Sequence, residues 1–291
     1  MHTVAPSPSF GAPLRTLLRS FGQIVLQANA FTGACLIAAW LLADPRLACA
    51  ALLGASAANV SAVLAGHPAP DTSAGLHGFN GALAGLAAFS FIADPATAAA
   101  VAILAATGTA WLSQPWSRWL RARGLGCLSS PCLIVTWLWL PFIADGTRHA
   151  SPPPVHPLDA LRFCTGVLAG FAQTGFASGA LAGVCVLLGI AAASRRHALY
   201  ALVGAGFASA AQLLSGANAA SFDAGLSGFN GILTALALCD AGFAPMLGGV
   251  AMSVLLQAAA AHAGWPVMTA PFVLATWSVQ WLKRGLARTS P

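Results

Sequence analysis

A thirteen-residue segment that occurs twice constrains this chain more than any other feature. GLHGFNGALAGLA at 75–87 returns as GLSGFNGILTALA at 225–237, 150 positions on, with six of the first seven residues identical. A second echo follows each copy in the same order, PCLIVTW at 131–137 and PFVLATW at 271–277. Two echoes in one order define a duplicated chain. The repeats are placed at 14–145 and 159–288, joined by the linker 146–158. Residues 1–13 (MHTVAPSPSFGAP) are Pro- and Ser-rich without an apolar core, and read as a disordered tail and not as a cleavable signal peptide.

The solvent of the repeats follows from how little charge they carry. Only 7% of residues are charged and 58% are hydrophobic, whereas a soluble domain carries about 25% charged residues. That excludes a soluble enzyme, a disordered protein and a charge-driven nucleic-acid binder. The chain reads as an all-α integral membrane protein. A membrane helix needs roughly 20 apolar residues, and 47–65, 96–113, 197–215 and 243–263 supply them. Shorter runs punctuated by Gly, Pro and Asn lie at 32–44, 77–93, 127–145, 177–194, 225–240 and 266–282. Together they predict ten transmembrane helices, five in each repeat, so the two repeats are inverted. The stretches 14–28 and 160–173 are too polar or too short to cross and read as re-entrant half-helices. Broken backbone at membrane depth survives only where protein or a water-filled cavity satisfies it. Inverted repeats with broken helices put the solute path at their interface.

Basic residues set the orientation. Arg15 and Arg19, Arg118, Arg121 and Arg123, Arg195 and Arg196, and Lys283, Arg284 and Arg288 all fall on one side when both termini are cytoplasmic. This accounts for the net charge of +6 without a nucleic-acid partner. The expected location is the plasma (inner) membrane. The seven cysteines form no CxxC pair or metal spacing. All seven acidic residues are Asp, and each lies between apolar runs or at their edges. An ion-coupled carrier keeps a charge within the membrane, so a neutral, passively moving solute is expected. No Ser/His/Asp, HExxH or DxD-type arrangement supports an enzyme, and neither a metal nor a cofactor is expected. His77 reads as a capping or structural residue before a proton relay, and His67, Asp71 and His77 as a loop and not a metal site. Phe79 and Leu83 are four apart, as are Phe229 and Leu233, so each pair shares a helical face. Facing one another, the pairs would enclose a flat slot. Asn80 and Asn230 are expected to cap broken helices or pin adjacent backbone.

The two GFNG segments, WPVMTAPF at 265–272 and GQIVLQANAFTG at 22–33 together resemble the urea transporter family of channel-like proteins. Trp265 stands where that family's L-P-x-x-T-x-P-F signature has Leu. The resemblance implies passive conduction of urea through a pore in each protomer of a homotrimer. It also implies that Phe79 and Leu83 form part of one slot, Phe229 and Leu233 part of the other, with Leu26 a wall residue. Gln23 would orient urea at the first half-helix, and Thr269 would supply the central hydroxyl. In the first copy of the signature, LGCLSSPC at 125–132, Ser129 replaces that Thr and Cys132 the Phe. Setting Ser178-Gly179 against Thr32-Gly33 puts Ala169 opposite Gln23, Ala172 opposite Leu26 and Gln173 opposite Gln27. On that register the second half-helix lacks one polar group and one wall residue, and the pore is more apolar at one end. A short amide or ammonia remains the alternative solute, and an ion-coupled carrier the less favoured mechanism.

Overall fold

The computed structural model describes residues 11–143 and 158–289, and among them only helices, turns and loops occur. The first repeat contains α1 (Gly11–Gly22), α2 (Ala30–Ala43), α3 (Pro45–Leu64), α4 (Ala69–Ser73), α5 (Gly78–Phe91), α6 (Pro95–Ala122) and α7 (Ser130–Ile143). The second contains α8 (Ala160–Gln173), α9 (Ala180–Ala193), α10 (Arg195–Leu214), α11 (Ala219–Asp223), α12 (Phe229–Ala237), α13 (Phe243–His262) and α14 (Ala270–Thr289). Seven helices thus recur in order, and α9, α10 and α11 begin and end 150 residues after α2, α3 and α4. Helix α1 starts at Gly11, inside the segment read as a tail; residues 1–10 and the linker up to 157 lie outside the described residues.

Few polar residues are available, and many serve at helix ends. Asn29, Asp44, Asp94, Asp159, Ser194 and Asn218 are N-caps whose side chains accept backbone N–H bonds from the first helical turn. Pro45 and Pro95 occupy the adjoining first helical position, where the missing N–H costs nothing. Asp44, Asp94 and Asp159 therefore stand at helix boundaries. In the second repeat Asp223 pairs with Arg162 at 2.7 Å and Asp240 with Arg196 at 3.1 Å.

Helices α3, α6, α10 and α13 are long and apolar enough to cross a membrane. They match the four runs that the sequence marks as full spans. The pair Gly11–Val25 and Ala30–Ala43 is bent by 76° at its break and forms a fifth candidate. Helices α5, α7 and α9 are apolar but shorter, at 14 residues each.

Small residues bring the backbones together. A Cβ on Gly54 would collide with the Gly81 carbonyl, and one on Gly85 with the Ala50 carbonyl, so α3 and α5 pack without side chains between them. In the second repeat Gly204 and Gly231 lock α10 to α12 in the same manner. This is how membrane helices associate when lipid gives no hydrophobic drive. The repeats meet along α2 and α9. Thr32 Oγ1 donates to the Gly189 carbonyl at 2.8 Å, and the fully buried Trp40 donates Nε1 to the Gly175 carbonyl at 2.7 Å. Phe21 stacks edge-on against Trp40 at 5.2 Å, completing the largest apolar cluster.

Candidate functional site: a constriction between the repeats

Among the described residues, four non-glycine residues have left-handed backbone: Leu26 (φ 59°), Phe176 (φ 62°), Leu128 (φ 50°) and Met268 (φ 44°). Each costs of order 1–2 kcal/mol, so something must hold them. They occupy matching places in the two repeats. Leu26 and Phe176 close the half-helices, and Leu128 and Met268 precede α7 and α14.

The half-helix ends are built alike. Leu26 N–H donates to the Gln23 carbonyl at 2.9 Å and Gln27 N–H to Gly22 at 3.0 Å. Phe176 N–H donates to the Gln173 carbonyl at 3.1 Å and Ala177 N–H to Ala172 at 3.1 Å. The alternation of buried and half-buried residues over 21–28 recurs unchanged over 171–178. The close contact of Gly33 with the Leu18 carbonyl likewise recurs as Gly183 with Leu168. The true register is therefore 150 residues, four more than the spacing inferred from the Thr-Gly and Ser-Gly steps. Gln173 corresponds to Gln23 and Phe176 to Leu26. The polar group and the wall residue expected to be missing are both present, and Gly179-Ala180 is the counterpart of Asn29-Ala30. The expectation of a more apolar end has no basis in this register.

The other pair of turns is clamped by the GFN asparagines. Asn80 Nδ2 donates to the Leu128 carbonyl at 3.3 Å, and its Oδ1 accepts the Cys132 N–H at 3.1 Å. Asn230 Nδ2 donates to the Met268 carbonyl at 3.1 Å, and its Oδ1 accepts the Phe272 N–H at 3.3 Å. Asn230 also donates to Gln257 Oε1 at 2.9 Å, a third bond. Both side chains are 1% exposed, and in each half one amide bridges a strained turn and the helix after it. Each turn is then tied to the opposite repeat. Trp137 Nε1 donates to the Pro266 carbonyl at 3.3 Å, and Trp277 Nε1 to the Gly126 carbonyl at 2.7 Å. The tryptophans that end the PCLIVTW and PFVLATW echoes owe their places to this reciprocal tie.

These devices converge on a cavity of about 10 Å³, lined by Gln23, Ile24, Leu26, Phe79, Leu83, Ser129, Thr174, Leu233, Thr269 and Phe272. That is room for about one water-sized sphere. The Ser129 and Thr269 hydroxyls meet there at 2.8 Å, one from each repeat. Gln23 is held by its Nε2, which donates to the Ala74 carbonyl at 3.3 Å. No residue of this lining is ionisable. Phe229 does not line it. Its ring instead borders an adjoining vestibule of about 690 Å³, which shares Thr174 and Thr269 with the constriction and includes Gln173, Phe176 and Gln257. Ile24, Thr174 and Phe272 of the constriction, and Gln173, Phe176 and Gln257 of the adjoining cavity, were not among the candidates of the sequence reading. Shifting the half-helix register to 150 would have found Gln173 and Phe176.

His77 is 5% exposed and makes no capping bond, so of the capping or structural role expected of it the structural one is left. Neither ring nitrogen has a hydrogen-bond partner, and the ring packs on His67 at 4.7 Å between centroids.

Broken helices that converge from two repeats on a narrow, uncharged, hydroxyl-tipped gap belong to a membrane transporter of small solutes. The chain matches the family described as urea transporter over residues 14–284, and it belongs to that family. It is thus an integral membrane protein of a family that transports urea, which is not a family of enzymes. No individual curated protein matches the chain.

Proposed function

We propose that this protein conducts urea passively, down its gradient, through the constriction between the two repeats. The observation that carries the reading is the Ser129–Thr269 hydroxyl pair, 2.8 Å apart and set between the apolar side chains of Phe79, Leu83, Leu233 and Phe272. Urea is flat, with donors on both nitrogens and one carbonyl acceptor. Apolar walls on its two faces select for flatness, while hydroxyls at its edge replace lost water. The half-helices α1 and α8 aim their C-terminal ends at the site, and helix C-termini carry carbonyls without intrahelical partners. Those carbonyls suit the N–H groups of urea, and the partial negative charge there repels anions. A lining without ionisable groups favours a channel over a carrier coupled to protons or sodium.

In this reading α5, α7, α9, α12 and α14 complete ten crossings with the four long helices and α2, and the repeats are inverted. The reciprocal Trp137–Pro266 and Trp277–Gly126 bonds support a two-fold relation. Both termini face the cytoplasm of a cell whose plasma (inner) membrane holds the protein as a homotrimer. Gln23, Leu26, Phe79, Leu83, Ser129, Phe229, Leu233 and Thr269 form the path, with Gln173 and Phe176 as the second repeat's counterparts of Gln23 and Leu26.

Stopped-flow light scattering on proteoliposomes tests this. Fast urea entry that saturates only at high concentration and ignores a proton ionophore is the expected result. Flux abolished by the ionophore would make the protein a carrier. Acetamide or ammonia flux in the absence of urea flux would replace the solute.

A further inference from the structure

Away from the constriction, three ligand-bearing side chains meet where α10 begins and the chain leaves α12. His197, Cys239 and Asp240 each place a potential ligand atom within 4.8 Å of the other two. His197 lies in the first turn of α10, where its backbone N–H donates to Ser194 Oγ at 3.2 Å, so its ring is free of capping duty. Its Nδ1 is buried without a hydrogen-bond partner. Cys239 is fully buried, is not in a disulfide, and opens the short 3-10 turn Cys239–Ala241 that separates α12 from α13. Asp240, whose side chain is 83% exposed, follows it. The turn is held from behind by Arg196, which donates to Asp240 Oδ1 at 3.1 Å and to the Cys239 carbonyl at 2.7 Å.

We propose that His197, Cys239 and Asp240 form a binding site for a thiophilic divalent cation of the zinc and cadmium class. A thiolate, an imidazole and a carboxylate are the donor set such ions take in four-coordinate sites, with water in the fourth position. A thiolate ligand selects against magnesium and calcium, which require oxygen donors. Tetrahedral bonds of about 2.0–2.3 Å separate ligand atoms by roughly 3.2–3.6 Å. The 4.8 Å envelope is wider than this spacing, so the side chains draw together when the ion binds. The buried thiol and the orphaned imidazole nitrogen would both gain the partner they lack. Arg196 competes for the carboxylate and also favours the thiolate, so the site suits a soft cation better than a hard one.

The first repeat has no equivalent: Leu47 stands 150 residues before His197, and Phe89 and Ser90 stand in the same relation to Cys239 and Asp240. Occupancy would brace the start of α10 against the end of α12, the helix that carries Asn230 and Leu233. The site therefore stabilises one repeat only.

Calorimetry with Cd2+ on the purified full chain in detergent tests the proposal, with Mg2+ as the control ion and Cys239→Ser, His197→Ala and Asp240→Asn as variants. The wild type should take up one Cd2+ per chain with a rise in unfolding temperature, while Mg2+ should do neither. Cys239→Ser and His197→Ala should each weaken that binding by more than about 100-fold, and Asp240→Asn by about tenfold. Retained urea flux in the variants shows that they fold. Co2+ bound to the wild type should give a thiolate charge-transfer band, a readout that needs no variant. Equal Cd2+ binding by wild type and Cys239→Ser, no Cd2+ binding by the wild type, or a Co2+ spectrum without that band would overturn the proposal.

Discussion

The two copies of the GFN unit clamp their turns alike and differ in the side chains around them, and the helix itself runs 14 residues in the first copy and 9 in the second. In both, an asparagine ties a left-handed residue to the N–H of the following helix, and a tryptophan from the other repeat closes the turn. Around that shared frame the contents differ. Ser129 faces Thr269, Cys132 takes the place of Phe272, Ile24 that of Thr174, and Leu26 that of Phe176. Asn230 has Gln257 as an extra partner. The comparison teaches that the strained turns form a common frame, and on the proposed function the side chains around it set which solute passes. Substitutions in the frame should therefore cost stability in either copy, whereas substitutions in the lining should change flux and leave the fold.

The largest effect is expected at the glycine crossings. Gly81→Val and Gly231→Val each force a branched side chain into a neighbouring helix, at α3 and α10 respectively. Overpacking of this kind costs about 3 kcal/mol or more. Both variants should lose nearly all folded protein in a detergent gel-filtration assay; normal yield from either would break the equivalence of the two crossings. Next come Asn80→Ala and Asn230→Ala, which each leave two buried backbone groups without partners, at about 1–3 kcal/mol apiece. Thermal unfolding should fall for both, and further for Asn230→Ala because Gln257 loses a bond as well. An equal or reversed order would show that the third bond is without weight.

Smaller should be the effects of Thr269→Val and Ser129→Ala. Loss of a constriction hydroxyl should slow urea about tenfold, or about 1.4 kcal/mol of barrier, and lower the unfolding temperature less than the asparagine variants do, because one buried group and not two loses its partner. The smallest effect belongs to the half-helix glutamines. Gln23→Leu and Gln173→Leu should each reduce urea flux by about threefold, comparable to one neutral hydrogen bond. A loss in Gln23→Leu alone would argue against the 150-residue register as a functional equivalence.

Much of this arrangement was legible in the sequence because membrane solvation forces it into view. Long apolar runs gave the four full spans, and the paired GFN and TW echoes located the strained turns. The lining was legible where a motif named it: Gln23, Leu26, Phe79, Leu83, Ser129, Leu233 and Thr269 all meet at the constriction. The half-helix register was misread because Ser178-Gly179 looks like Thr32-Gly33, although the packing is set by Gly183 against Leu168, as by Gly33 against Leu18. Backbone contact left no side-chain pattern to align. Phe229 lines the adjoining cavity and packs in one cluster with Phe272, which lines the constriction, a placement that the shared GFN motif does not encode. His77 was read as a capping or structural residue from its position before a helix; which of the two it is depends on its burial against His67, a tertiary fact with no local signal.

The central claim is that solute crosses through the Ser129–Thr269 gap, and blocking that gap tests it most directly. Leu233→Trp fills the roughly 10 Å³ constriction. Leu256→Trp puts the same side chain into the apolar cavity of about 680 Å³ beside Trp137 and Trp265, which has no lining residue in common with the constriction and serves as the control. Urea flux into proteoliposomes should drop to the lipid background for Leu233→Trp and stay at the native rate for Leu256→Trp, with both proteins folded. Native flux through a folded Leu233→Trp variant would contradict the account.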